Sequence, residues 1–343
     1  MTPTSIRTCC DDIDVKEFDG DIKVRRYVRL FGASLEHKLG VYNVCLRSSY
    51  RALSERFMKV EVKGQFLKPL LPQAGRFSCT ALKLFRKIIS GCVGKKIPCS
   101  VKDVVDSYRG PKKVTYQKAY DSLVDFPLGE LPMDYLAGFF VKFEKQNLDK
   151  APRGIFPFSP RYNLVLGKFL KKIEHNIYKA VSKCFRGYTT IFKGFNVFET
   201  ASELRKLWDH FSNPIAISID AVKFDMHISL EALLFEFSVY CAIYDNDPEL
   251  INLLNAQLCP HGVCYTPDGK LEFNRVGGRL SGMLNTALGN CLISCAIVFA
   301  MKREFGIDLL CANNGDDTII FCEIEYSNRI LRAIPGFYAR FGF

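Results

Sequence analysis

Residues 76–91, RFSCTALKLFRKIISG, repeat apolar positions at helical spacing, which predicts a helix that stops at Gly91. The segment 101–123 predicts a helix to Tyr108, a turn at Arg109-Gly110-Pro111 and a second helix through Leu123. From 142 the helical period is lost. Pro152, Pro157 and Pro160 hold that stretch extended, and helical spacing resumes from Tyr162 to about Lys183. Residues 214–220, PIAISID, alternate as a short strand that ends on an acid. Residues 281–301 predict a long apolar helix. Residues 308–323 predict a hairpin, with Asn313-Asn314-Gly315 between the apolar runs DLLCA and DDTIIFCE. No internal repeat is present.

Charge changes this picture in one place. The chain carries a net charge of +11, which favours a polyanionic partner without naming one. Between 142 and 190 the only acids are Glu144, Asp149 and Glu174, among many lysines and arginines. Phe143, Phe156, Phe158 and Tyr162 are interleaved with them, a composition that suits a phosphate-bearing ligand; a solvated charged loop is the plainer alternative. Fourteen cysteines are scattered without a C-x-x-C pair, so reduced, mostly buried thiols are expected. Cys259, His261 and Cys264 could supply part of a zinc site, but no fourth ligand is evident. The first residues, MTPTSIRTCCDDIDVKEF, lack the apolar core of a signal peptide. The apolar run 287–301 is short for a membrane span and holds Asn290 and Ser294, so a buried helix and no transmembrane segment are expected. Any membrane attachment would come from outside this chain.

Three features carry chemistry when taken together. Asp220 closes a strand, so its carboxylate stands at the strand tip, and Asp225 follows after a turn. Gly282, Thr286 and Asn290 are spaced by four, which would line them along one helix face, with Gly282 allowing close backbone approach. Gly315-Asp316-Asp317 presents two acids at a hairpin apex. Carboxylates gathered in one place repel one another unless a cation lies among them. Mg²⁺ takes oxygen ligands of this kind, and two such ions activate a hydroxyl and stabilise leaving pyrophosphate. The basic strip then has a task, the neutralising of an incoming triphosphate.

With these residues the chain resembles the RNA-dependent RNA polymerases of plus-strand RNA viruses, most closely the tombusvirus and carmovirus-like group. SIDAVKFDMHIS at 218–229 resembles that group's motif A, and GGRLSGMLNTALGNCLI at 277–293 its motif B. ANNGDDTIIF at 312–321 resembles motif C, and FVKFEKQNLDKAPRGIFPFSPRYNLVLG at 140–167 resembles fingertip motif F and its sequel. The resemblance implies an α+β right-hand polymerase fold with little or no thumb. Fingers would cover 1–180, including the basic strip 142–161, and an insertion at 230–274; palm would cover 181–229 and 275–343. It implies RNA synthesis from nucleoside triphosphates. Asp220, Asp316 and Asp317 would hold Mg²⁺, with Mn²⁺ as a substitute. Asp225 and Asn290 would read the ribose 2′-hydroxyl, which both donates and accepts. Lys142, Lys145 and Arg153 would meet the triphosphate, Arg161 would order the strip and belong to the same nucleotide- or RNA-binding set, and Ser281, Gly282 and Thr286 would lie beside the nascent pair and the template.

Two departures limit the analogy. Phe158 stands where the group often has arginine, so it takes no phosphate role. FYARFGF at 337–343 resembles the opening of motif D, whose lysine, with motif E and the thumb, lies further on in relatives; no general acid for pyrophosphate is assigned. A catalytically incomplete RNA-binding fragment is therefore the alternative reading. A reverse transcriptase is disfavoured, because Asp225 and Asn290 would accept the 2′-hydroxyl. Implied partners are template and product RNA, nucleoside triphosphates, other viral replication proteins and host factors. The implied place is the host cytoplasm, at membrane-bound replication complexes.

Overall fold

The computed structural model describes residues 12–26 and 39–343. Residues 1–11, where no leader is expected, lie outside the described part. The architecture is α+β, with small and mostly antiparallel sheets flanked by helices.

One sheet has three antiparallel strands. Strand β3 (Pro214–Ile219) pairs with β7 (Asp317–Glu323), which returns along β6 (Leu310–Asn314) as a hairpin. The second sheet brings together distant stretches of chain. A hairpin of β4 (His261–Thr266) and β5 (Gly269–Asn274) is flanked by β1 (Asp12–Glu17), antiparallel to β5, and by β2 (Ala137–Gly138), parallel to β4.

The helices pack around one large apolar core. Its centre is α9 (Thr286–Phe305), apolar on every face and therefore buried on every face. It lies against α1 (Thr80–Val93), α5 (Glu174–Ser182), α8 (Leu230–Ile243) and β6. At 20 residues it is long and apolar enough to cross a membrane, but most of it is covered by these neighbours, as a core helix is. A smaller cluster joins α2 (Val101–Asp106) and α3 (Gly110–Asp125) to α4 (Pro160–Leu170).

Three local expectations need correction. Helix α1 begins at Thr80 and runs through Gly91 to Val93. Pro160 does not extend the preceding stretch; it opens α4 at its first position, where a missing N–H costs nothing, and the Ser159 side chain caps the helix by accepting from Tyr162 N. Residues 281–285 are a turn, and α9 starts only at Thr286, so Gly282 does not share a helix face with Thr286 and Asn290.

Of the cysteines, those from Cys45 to Cys322 that are free thiols are mostly buried, as expected. Cys259 departs from that expectation, being disulfide-bonded. Among the described residues no group of three or more His, Cys, Asp or Glu is placed to hold a metal, so Cys259, His261 and Cys264 form no zinc site there.

Candidate active site

The ladder between β3 and β7 fixes the acidic positions. Ile219 pairs with Thr318, so Asp220, one residue beyond, comes opposite Asp317, one residue before. In the hairpin Asn314 pairs with Asp317, leaving Gly315 and Asp316 as the two turn residues. Gly315 has φ +95°, a left-handed value that an L residue rarely adopts. The turn is thus centred on Gly-Asp, one position later than the Asn-Gly signal suggested. All three aspartates are exposed, and none of their carboxylates has a hydrogen-bond or ion-pair partner among the described residues. As a donor set, three unpaired oxygen ligands at adjacent strand ends fit a hard divalent cation. They do not form a close group of three.

The turn is held from beneath by Asn313, which is 2% exposed. Its Nδ2 donates to Gly315 O (2.8 Å), Asp317 O (3.2 Å) and Thr318 Oγ1 (2.9 Å), and its Oδ1 accepts from Gly315 N (3.0 Å). Thr190–Phe192 runs beside β6 as a short parallel bridge, exchanging backbone hydrogen bonds with Asn313. Lys193 then donates from Nζ to Asn314 O at 3.1 Å. Lys193 did not stand out in the sequence, because its contact joins segments 121 residues apart, and Asn313 was read only as part of the turn signal.

Asp225 sits on the one-turn helix α7 (Phe224–His227), entered through Lys223 in a left-handed conformation with φ +52°. Asn290, on α9, donates from Nδ2 to Asp225 Oδ1 at 2.8 Å. Arg279 Nε donates in turn to Asn290 Oδ1 at 3.1 Å. Arg279 is paired with Glu236 of α8, and both side chains are fully buried. Tyr240 O–H (2.9 Å) and Asn285 Nδ2 (3.0 Å) donate to the same Glu236 carboxylate. Burial pushes the Asp225 carboxyl up. The Asn290 hydrogen bond and the Arg279 charge pull it back, while the negative charge of Asp316 raises it again. That sensitivity shows Asp225 and the hairpin turn to be within electrostatic reach of each other. Burial lowers the Arg279 guanidinium, but Glu236 outweighs it and holds it above its ordinary value.

The turn 281–285 locks onto the basic strip. Ser281 Oγ donates to Gly154 O at 3.1 Å, and Thr286 Oγ1 donates to Leu280 O at 2.8 Å. A Cβ on Gly282 would lie 2.8 Å from the carbonyl carbon and oxygen of Phe156, so only glycine permits this approach.

Within the strip, Lys142 Nζ lies 2.7 Å from Glu144, and Arg153 Nε lies 3.6 Å from it. Arg153 is also among the cations felt by Asp225. Lys145 is engaged in a polar interaction of its own. Arg56 reaches the strip from an earlier segment, donating to Ala151 O at 3.3 Å.

Arg161 is spent inside the protein. It is 7% exposed, pairs with Asp134 at 2.6 Å, and donates to Ser122 Oγ, Phe126 O and Pro127 O. Its guanidinium is not available to a phosphate; it anchors the end of the strip, and nucleotide contact by Arg161 is withdrawn. Phe158 is buried against Tyr162, with ring centroids 4.6 Å apart.

A sequence model described as viral RNA-dependent RNA polymerase matches residues 15–343. The chain is 37% identical over 325 residues to an RNA-directed RNA polymerase of tobacco necrosis virus (strain A), covering 94% of this chain and 44% of that protein. It is 37% identical over 337 residues to the RNA-directed RNA polymerase of Panicum mosaic virus, covering 95% and 34% respectively. With that of carnation mottle virus it shares 36% over 335 residues, covering 96% and 43%. The chain therefore spans less than half the length of these curated relatives.

Proposed function

Since the chain belongs to the viral RNA-dependent RNA polymerases, we propose that it carries the nucleotidyl-transfer centre of template-directed RNA synthesis in viral replication. The observation that supports this most is the Ile219–Thr318 register, which sets Asp220 and Asp317 opposite each other beside the Asp316 turn, with the Asp225–Asn290 pair within its field. Asp220, Asp316 and Asp317 would hold Mg²⁺, or Mn²⁺ in its place. Bound there, the ions would lower the pKa of the attacking hydroxyl and offset charge on the leaving pyrophosphate.

The chain's own residues do the rest. Asp225 accepts from the incoming ribose 2′-hydroxyl and Asn290 orients that carboxylate. Lys142, Lys145 and Arg153 neutralise the triphosphate along the strip. Ser281, Gly282 and Thr286 fix the turn beside the template. The division into fingers (1–180 and 230–274) and palm (181–229 and 275–343) is supported by the second sheet, whose four strands all come from the finger segments. The three-stranded sheet comes wholly from the palm segments. The reading places the protein in host cytoplasm at membrane-bound replication complexes, with RNA, nucleoside triphosphates and other viral and host proteins as partners.

The test is Mg²⁺-dependent primer extension on an RNA template by the purified chain. Extension that is lost in Asp316→Asn supports the proposal. RNA binding without extension, unchanged by added Mg²⁺ and by Asp316→Asn, would support a fragment that binds RNA and does not turn over.

A further inference from the structure

The acidic turn has a cation fixed beside it. Ile191 bridges Asn313 in parallel, so the register brings Lys193 alongside Gly315, two residues on in each segment. The chain then turns away: Phe195 N donates to Phe192 O at 3.3 Å, and Gly194 takes a left-handed φ of +90° within that turn. The Phe195 ring meets that of Phe192 edge-on, with centroids 5.6 Å apart, and the capping box of Asn196 and Glu199 opens α6 (Val197–Trp208). Lys193 is therefore held from both sides of the chain, half-buried, with its side chain directed at the hairpin turn.

Two distances place its ammonium. Nζ donates to Asn314 O at 3.1 Å, and it lies 3.5 Å from where a Cβ on Gly315 would stand. Asp316 follows Gly315, and consecutive Cα atoms are about 3.8 Å apart, so Nζ is within about 9 Å of Asp316 Cα. Its charge also reaches beneath the turn. Burial pushes the Cys291 thiol of α9 up to about 12, while the Lys193 charge and a hydrogen bond from Gly315 N–H draw it back. Asn314 O takes one ammonium proton; among the described residues no acceptor takes the other two, and no ion pair joins Lys193 to an acid. A backbone carbonyl needs only a neutral donor, so this hydrogen bond does not account for a full charge at this place. The three aspartates beside it do. A cation within a Debye length eases the repulsion among carboxylates that have no partner of their own. By the same Coulomb interaction it opposes a divalent ion.

We propose that Lys193 is the resident counter-cation of the acidic turn, a positioning residue that eases repulsion among Asp220, Asp316 and Asp317 without metal and weakens their hold on a divalent ion. Metal occupancy then depends on the incoming triphosphate, whose negative charge offsets that of Lys193. The inference rests on the polymerase reading, because it takes the three acids as metal ligands. A purely structural tie has the opposite consequence: its removal would loosen the turn and weaken metal binding.

Mn²⁺ binding to the purified 343-residue chain without nucleotide, followed by the electron paramagnetic resonance of free Mn²⁺, tests the sign. At about 0.02 M salt the Debye length is about 20 Å. There Lys193→Gln and Lys193→Met should each bind Mn²⁺ about threefold more tightly than the native chain. Lys193→Arg keeps the charge and should stay within about 1.5-fold of native. At about 0.5 M salt the differences should vanish, because the interaction is screened. Asp316→Asn should lose the binding. Thermal melting shows which variants fold, and either neutral variant decides the question if the other does not fold. Unchanged or weaker Mn²⁺ binding in a folded neutral variant overturns the counter-cation and leaves Lys193 as a tie. Tightening that persists at high salt also overturns it, since charge would not be its cause. Native chain and Asp316→Asn binding Mn²⁺ alike is a separate failure: it removes metal from the turn, and the polymerase reading of the acids falls together with the inference.

Discussion

Asn290 uses both ends of its amide. Nδ2 reaches Asp225, and Oδ1 is held by Arg279, so the side chain cannot turn over without breaking both bonds, each to a charged group. Asp225 is pushed up by burial and kept from rising further by that same Asn290 donor. In the proposed reading, a 2′-hydroxyl donating to Asp225 would enter an arrangement already oriented for it, and a deoxyribose would leave the carboxylate one donor short. Asn290→Ala should therefore lower the preference for NTP over dNTP by about tenfold, the worth of roughly one hydrogen bond to a charged group. Competition between the two substrates in primer extension measures the ratio. An unchanged ratio with slower turnover would assign Asn290 to general positioning instead.

At the scale of elements, two ties hold the candidate site in place. The first is the Glu236–Arg279 pair, which clamps α8 to the turn before α9. Both charges are buried, and removing one leaves the other stranded without water, at a cost of about 3–5 kcal/mol. Glu236→Ala should lose roughly that much in urea unfolding, and a loss below about 1 kcal/mol would mean that water or a new partner reaches Arg279.

The second tie is at the base of the hairpin. Asp308 meets Arg186 at 2.8 Å, Lys302 at 3.0 Å and His210 at 3.2 Å. Burial would push the Asp308 carboxyl up, but hydrogen bonds from Arg186, Lys302 and His210 outweigh it and hold it down to about 2, against an ordinary 3.8. A depressed carboxylate stabilises the fold in full above the unfolded value, and the gain is lost as pH falls through the folded value. Thermal midpoints measured between pH 5 and 2 should therefore fall less steeply in Asp308→Asn than in the native chain, with the two curves converging at the acid end.

These ties also show what could be read from the sequence. Strand β3, the hairpin and the acids at their ends were legible, because alternation and an acid at its end are local signals. The turn 281–285 was misread as helix: its four-residue spacing is real, but the Phe156–Pro157 backbone lies against Gly282 and no local pattern encodes that approach. Glu236 and Arg279 were missed for a related reason. They are 43 residues apart, each reads locally as an ordinary surface charge, and only packing shows that they bury each other.

Over the whole molecule, the proposed function leaves the first holding of RNA to charge. The chain carries +11, and Arg153 of its basic strip is near enough for its charge to act on Asp225. Without RNA, Glu144 serves as counter-ion to both Lys142 and Arg153, so neither cation is fully free, yet both side chains remain substantially exposed. A strand that took Glu144's place would release condensed counter-ions, and binding would weaken as salt rises, with a slope of about 0.7 per phosphate contacted on a single strand. Substituting Lys142, Lys145 and Arg153 together by glutamine should reduce the magnitude of that slope by about 2, because three contacts are lost. Arg161→Gln should instead lower the thermal midpoint and leave the slope unchanged, since its guanidinium is spent on Asp134 and backbone carbonyls. Fluorescence anisotropy with labelled single-stranded RNA across a salt series separates the two. If the triple variant keeps the native slope, the strip does not carry the phosphates, and the net charge acts through some other face of the molecule.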